Sequence, residues 1–158
     1  MAAGFSGLIL VSACAVAAQD QRSEVLDTAN ALLASWRDAN QAESQRVLHP
    51  DFRLTTLQGE PGDRKLYVVD RAGLLKASAG LKPGEWDDRL SDIDVRIGGN
   101  GLAIVTARYL FRVNRKPSHC GTVAMQLYRE KDSWKIISFA DTHNNLNGRP
   151  ESEVCPAS

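Results

Sequence analysis

The 158-residue chain has no excess charge of either sign: 19 Lys and Arg stand against 19 Asp and Glu, with 3 His besides. It also has no block of Lys or Arg, so it lacks the electrostatic footprint that nucleic acid or an anionic membrane surface requires. Neither partner is expected. Long hydrophobic runs are missing as well: the apolar stretch Phe5 to Ala13 falls short of the roughly 20 residues a spanning helix needs. No nucleophile elbow, Cys-x-x-Cys, P-loop or dinucleotide fingerprint occurs, which argues against hydride transfer and nucleotide hydrolysis. No cofactor is expected on these grounds. Internal repeats and low-complexity segments are absent too. What remains, 43% hydrophobic and 24% charged residues, fits one ordinary globular domain, placed here at residues 22–145 with a C-terminal tail at 146–158.

Cysteine is sparse, and its placement is informative. Residues 1–18 carry no charged side chain, include the apolar run and end in Ala15-Val16-Ala17-Ala18 before Gln19-Asp20. That layout predicts a secretory signal peptide cleaved near Ala17 or Ala18. Val11-Ser12-Ala13-Cys14 also resembles a lipobox, so one alternative is a lipoprotein anchored to a membrane through Cys14, and another is an uncleaved N-terminal tail. A periplasmic or secreted location follows from the first reading. Ordinary cleavage leaves Cys120 and Cys155, and an even count in an exported domain suggests a disulfide tying the tail to the sheet. The alternative is one buried apolar Cys and one exposed tail Cys.

Local patterns give an α+β order. Val25, Ala29, Leu32, Leu33 and Trp36 recur at helical spacing within residues 23–40, with Ser23 as N-cap. A second helix fits Gln41 to Leu48, stopped at His49-Pro50. Phe52 to Leu57 reads as a strand, Gln58 to Lys65 as a loop and Leu66 to Val69 as a short strand. Asp70 then caps a helix from Arg71 to about Ala79, closed by Gly80. The remainder is an antiparallel meander: Arg89 to Ile97, Leu102 to Val113, His119 to Glu130 and Trp134 to Thr142.

Turn geometry registers the meander, since a one-residue slip flips every side chain to the other face. Pairing Glu130 with Trp134 sets Val123 opposite Asp141, Gly121 opposite His143 and Met125 opposite Phe139. Pairing Val113 with His119 sets Tyr109 opposite Val123 and Phe111 opposite Gly121. The odd-numbered side is then an apolar face of Ala103, Val105, Ala107, Tyr109, Phe111 and Val113, continued by Val123, Met125, Leu127, Ile137 and Phe139. Ile93, Val95 and Ile97 join it if the Gly98-to-Gly101 connection closes with an odd number of loop residues or a bulge. Tyr109, His119, Asp141 and His143 are the polar exceptions on this face and gather at one end of it. A few convergent polar groups on an apolar wall are the mark of a small-molecule pocket. Alternatively, Asp141 and the histidines mark where the sheet runs out into solvent.

The element order, the junction Leu48-His49-Pro50-Asp51-Phe52 after two helices and the closing strand Ser133-Trp134-Lys135-Ile136-Ile137-Ser138-Phe139 resemble the nuclear transport factor 2-like superfamily. Within it the chain looks most like the small bacterial SnoaL-like and lumazine-binding-like domains, over residues 23 to 143. The resemblance implies a cone: a strongly curved, mostly antiparallel sheet wrapped around the long N-terminal helix, with two further short helices, a pocket at one end and a homodimer formed through the convex face. The superfamily hosts isomerases, dehydratases, hydrolases, cyclases and binding domains, so it implies no single function. Three readings stand. One is an exported domain binding a small apolar or aromatic molecule between Trp36 and the wall around Tyr109, Phe111 and Phe139, with His119, Asp141 and His143 at its polar end. Another is a cofactor-free acid/base enzyme with Asp141 as base and Tyr109 or a histidine as proton donor. The third is a metal held by His119, Asp141 and His143, for which Asp-x-His is a weak pattern.

Overall fold

A computed structural model describes residues 9–59 and 62–155, with side chains from Gln19 onward. The elements are α1 (Ile9–Arg37), α2 (Gln41–Val47), β1 (Leu48–Gln58), β2 (Lys65–Asp70), α3 (Arg71–Ser78), β3 (Trp86–Gly98), β4 (Leu102–Val113), β5 (Lys116–Glu130), β6 (Ser133–Asn145) and α4 (Glu151–Val154). The side chains of the expected leader, Cys14 among them, lie outside the described residues. No described helix is long and apolar enough to cross a membrane.

The first helix starts well before Ser23, which is therefore not its N-cap. Ala13 to Arg22 contains good helix formers and neither Gly nor Pro, so nothing in that stretch stops the helix. Its expected stripe is core: Val25, Ala29 and Leu32 are fully buried, and Leu33 and Trp36 nearly so. Burying each large apolar side chain contributes about 1.5 to 3 kcal/mol. Asn40 caps α2 through its side chain, and Ser35 Oγ meets Ser44 Oγ where the two helices touch. Asp70 caps α3 by accepting from the Gly73 amide. Gly80 does not close α3 in a left-handed conformation; the helix ends through Ala79 in the right-handed region.

The six strands form one sheet in the order β2-β1-β6-β5-β4-β3, antiparallel except for the β1–β6 pair. The sheet curls around α1, and the odd face of β4 and β5 is the buried one: Ala103, Val105, Val123, Met125 and Leu127 are all shielded from solvent. This α+β cone is the architecture expected.

Both hairpin registers differ from expectation, and bulges explain why the faces survive. Asn114 and Arg115 take positive φ and close a two-residue turn that pairs Val113 with Lys116, not His119. Ser118 is then an extra residue, and Phe111 faces His119 while Tyr109 faces Gly121. The shift from the expected pairing is two residues, which preserves the face. Glu130 pairs with Ser133 rather than Trp134. A bulge between Gln126 and Leu127 restores the expected Met125–Phe139 and Val123–Asp141 pairs, but before it the parity is reversed: Trp134 and Ile136 are core, and Ile137 is only half-buried.

The β3 strand changes face in mid-course. Gly98 pairs with Leu102 across three residues, so Val95 and Ile97 do turn inward. A bulge between Ser91 and Asp94, with Asp92 at φ 50°, reverses the parity upstream. Ile93 is consequently exposed, whereas Trp86, Asp88 and Leu90 point to the core side.

Candidate functional site

Each wall of the cone's open end comes from a different element. Trp36 arrives on the last turn of α1, Leu74 on α3, and Leu54 and Thr56 on β1. The far wall is built by the odd residues of β4, β5 and β6 together with the inward residues at the start of β3. These surround a cavity of about 240 Å3. All seven residues singled out as ligand-contacting, Trp36, Tyr109, Phe111, His119, Phe139, Asp141 and His143, line it. Sequence reasoning missed Leu54, Thr56, Leu74, Trp86 and Asp88. The spacing Trp86-x-Asp88-x-Leu90, two apolar residues bracketing Asp88 on one strand face, was the available signal.

The apolar part of the wall is aromatic. Trp36 meets Phe139 at 6.0 Å and Trp86 edge-on at 6.4 Å between ring centroids, and Trp86 meets Phe111 at 5.7 Å. Phe111, His119 and His143 continue as a stack, with centroids 4.7 and 3.5 Å apart. Burial, followed by the charge on His143, holds the His119 imidazole down at about 3, so it is neutral near pH 7. Its Nδ1 lies 3.2 Å from Ser118 Oγ, and His143 Nε2 lies 3.0 Å from Asn145 Oδ1. Two rings stacked face to face do not converge on a common point. Among the described residues, no group of three or more His, Cys, Asp or Glu is placed to hold a metal.

Three groups make the polar end. The buried Tyr109 hydroxyl lies 2.9 Å from Asp141 Oδ2 and 3.0 Å from the Thr142 carbonyl, to either of which it can donate. Gly121 opposite Tyr109 makes this possible, because a Cβ there would collide with the Thr142 carbonyl oxygen. Burial and the ionised Asp141 push the phenol well above its ordinary range, so Tyr109 stays protonated as a donor. Asp88 is only 7% exposed. Burial first, then the charges of Asp141 and Asp87, raise its carboxyl from 3.8 to about 7. Three buried polar atoms of lining residues have no protein partner: Trp36 Nε1, Asp88 Oδ1 and Asp141 Oδ1.

A disulfide joins Cys120 to Cys155 with Cα atoms 6.0 Å apart. It presses the tail against the convex side of the sheet, where Leu110, Cys120 and Leu146 form a small second core with Val154 and Cys155 packed on it.

No protein-family model matches the chain, and no curated protein matches it. Solved structures do. A nuclear transport factor 2-like protein from Novosphingobium aromaticivorans with a cystatin-like fold superposes with a TM-score of 0.66 at 11% identity, over 95% of this chain and 97% of that one. Another from Cytophaga hutchinsonii gives 0.62 at 19% identity, over 78% of this chain and 98% of that one. A third, from Streptomyces avermitilis, is provisionally named a dehydratase of that family and gives 0.60 at 14% identity, over 79% and 96%. Identities this low speak to architecture rather than activity, and the architecture agrees with the element order and sheet topology above: the chain has the nuclear transport factor 2-like fold.

Proposed function

We propose that the cone is a receptacle for a small apolar or aromatic molecule, in a protein that works outside the cytoplasm. The observation that carries this reading is one aromatic-walled cavity that gathers the Asp88 and Asp141 carboxyls and the Tyr109 hydroxyl at its polar end. A few polar groups converging on an otherwise apolar wall are what orients a small ligand in such a cavity. The Cys120–Cys155 disulfide supports an oxidising compartment. Self-association through the convex face belongs to the same reading, supported by the exposed cross-strand pair Leu102 and Tyr128 with Ile104 beside it. Native mass spectrometry of gently purified protein tests all three parts. A mass lost on denaturation supports the receptacle, a doubled mass supports the dimer, and the chain's first residue reports the leader's processing. Repeated recovery of the bare chain, with no binding in a screen of small aromatics, would refute the receptacle.

One observation favours a second reading, acid/base catalysis without a cofactor. A carboxyl poised near 7, as at Asp88, can both take and give a proton at neutral pH, and Tyr109 offers a fixed hydroxyl beside Asp141. The provisional dehydratase name attached to one neighbour supports this only at the level of the fold. Turnover of a bound molecule that is lost in Asp88→Asn would establish it.

A further inference from the structure

The cavity has a sign. Its lining carries two carboxylates, Asp88 and Asp141, and among the described residues no Lys or Arg. Arg37 and Arg89, which line a separate surface hollow with Asp88, are ion-paired with Asp38 and Asp87. The two remaining basic side chains are the stacked imidazoles, and His119 is neutral. Each carboxylate leaves one buried oxygen without a donor. Tyr109, among the described residues the only hydroxyl hydrogen-bonded to either, has a single proton, given to Asp141 Oδ2 or to the Thr142 carbonyl.

We infer, resting on the receptacle reading above, that the molecule taken is a small amine bound as its ammonium ion, with the Asp88 and Asp141 carboxylates receiving its N–H groups and the Trp36, Trp86 and Phe139 rings holding its body. An ammonium supplies donors only, which is what acceptor-only carboxylates need. A neutral alcohol has one donor for two carboxylates. An anion meets two like charges at low dielectric and is rejected. The aromatic wall suits a cation further, because indole faces attract ammonium groups. At about 240 Å3 the cavity lies below the roughly 300–1,000 Å3 of drug-sized sites, so the body is about one ring.

Binding and protonation are coupled. A bound cation favours ionised Asp88 over its protonated form, so amine affinity rises as Asp88 deprotonates. The other titratable groups facing Asp88 are Asp141 on β6, Tyr109 on β4, the neighbouring Asp87, and His119 and His143 at the cavity rim. Tyr109 stays protonated and His119 neutral across pH 6 to 8.

Isothermal titration with three near-isosteres tests this: 2-phenylethylamine, 2-phenylethanol and phenylacetate. At about pH 8 the amine should bind about 10- to 100-fold tighter than the alcohol, the value of one or two charge-assisted hydrogen bonds, and phenylacetate weakest. Lowering the pH to about 6 should weaken the amine several-fold and leave the alcohol unchanged. Asp88→Asn and Asp141→Asn, each checked for a native melting transition, should each reduce the preference for the amine. If the alcohol binds as tightly as the amine, the charge assignment is overturned while the receptacle stands. An amine preference that survives both substitutions places the cation elsewhere and also overturns it. If none of the three binds, the receptacle reading fails and this inference with it.

Discussion

Replacing Asp88 by Asn should make the protein more stable, and more so the higher the pH. A carboxyl whose folded value is raised from 3.8 to about 7 is one that the fold prefers protonated. Relative to a neutral isostere, Asp88 therefore carries almost no penalty below about pH 4. The penalty grows as pH rises through the window between the two values, and it is complete above about pH 7. At about 1.36 kcal/mol per pKa unit the full penalty is about 4 kcal/mol, of which about 3 kcal/mol accrues between pH 4.5 and 8. Burial is the main cause, so an amide of the same shape, which never ionises, escapes it. Urea unfolding of both proteins, followed by tryptophan fluorescence at about pH 4.5 and 8, gives the difference of differences and cancels any pH-independent effect of the amide. A stability gap that stays constant within about 0.5 kcal/mol across that range would show that Asp88 is ordinary and solvated, refuting the site's electrostatics as described. A protein that retains such a destabilising carboxyl fits the common trade of stability for function.

Three other perturbations probe the frame around the cavity. Met125→Ala and Phe139→Ala, at positions 0% and 3% exposed, should each destabilise by about 2 to 5 kcal/mol in denaturant unfolding; a loss under about 0.5 would mean the buried face is misassigned. Gly121→Ala puts a methyl group into the Thr142 carbonyl and should lower the melting temperature by more than 5 °C, since about 1 kcal/mol shifts a domain this size by about 2 to 8 °C. An unchanged melt would mean the β5–β6 approach is looser than described. Cys120→Ser opens a bridge spanning 35 residues and should cost roughly 3 to 4 kcal/mol on a chain-entropy view. Thiol titration of unreduced protein should find neither Cys120 nor Cys155 free.

Much of the fold was legible because its signals are local and redundant. The α1 stripe from Val25 to Trp36, the Asp70 cap and the alternation of β4 and β5 each declare one face, and all agree. The hairpin registers were not legible. Whether Glu130 meets Ser133 or Trp134 depends on backbone φ at Lys131 and on a bulge at Ile137, four residues along β6, and neither leaves a composition signal. The expected core residue Ile137 gave way to Ile136 for that reason, while Asp141 stayed on the correct face because the turn and the bulge offset each other. The bulge at Asp92 had the larger consequence. It turned Asp88 inward, and without it the alternation of β3 reads Asp88 as solvent-facing. The candidate site was thus legible on β4, β5 and β6, where parity is preserved, and illegible on β3, where it reverses.

The most direct test of the central claim uses the three tryptophans as reporters. Trp36 and Trp86 line the cavity, whereas Trp134 lies outside it, with its indole N–H donated to Glu24. In a spectrum of 15N-labelled indole groups titrated with 2-phenylethylamine, the account predicts that the Trp36 and Trp86 signals move together and saturate while Trp134 stays in place. Saturable binding that moves Trp134 and leaves Trp36 and Trp86 unchanged would contradict it.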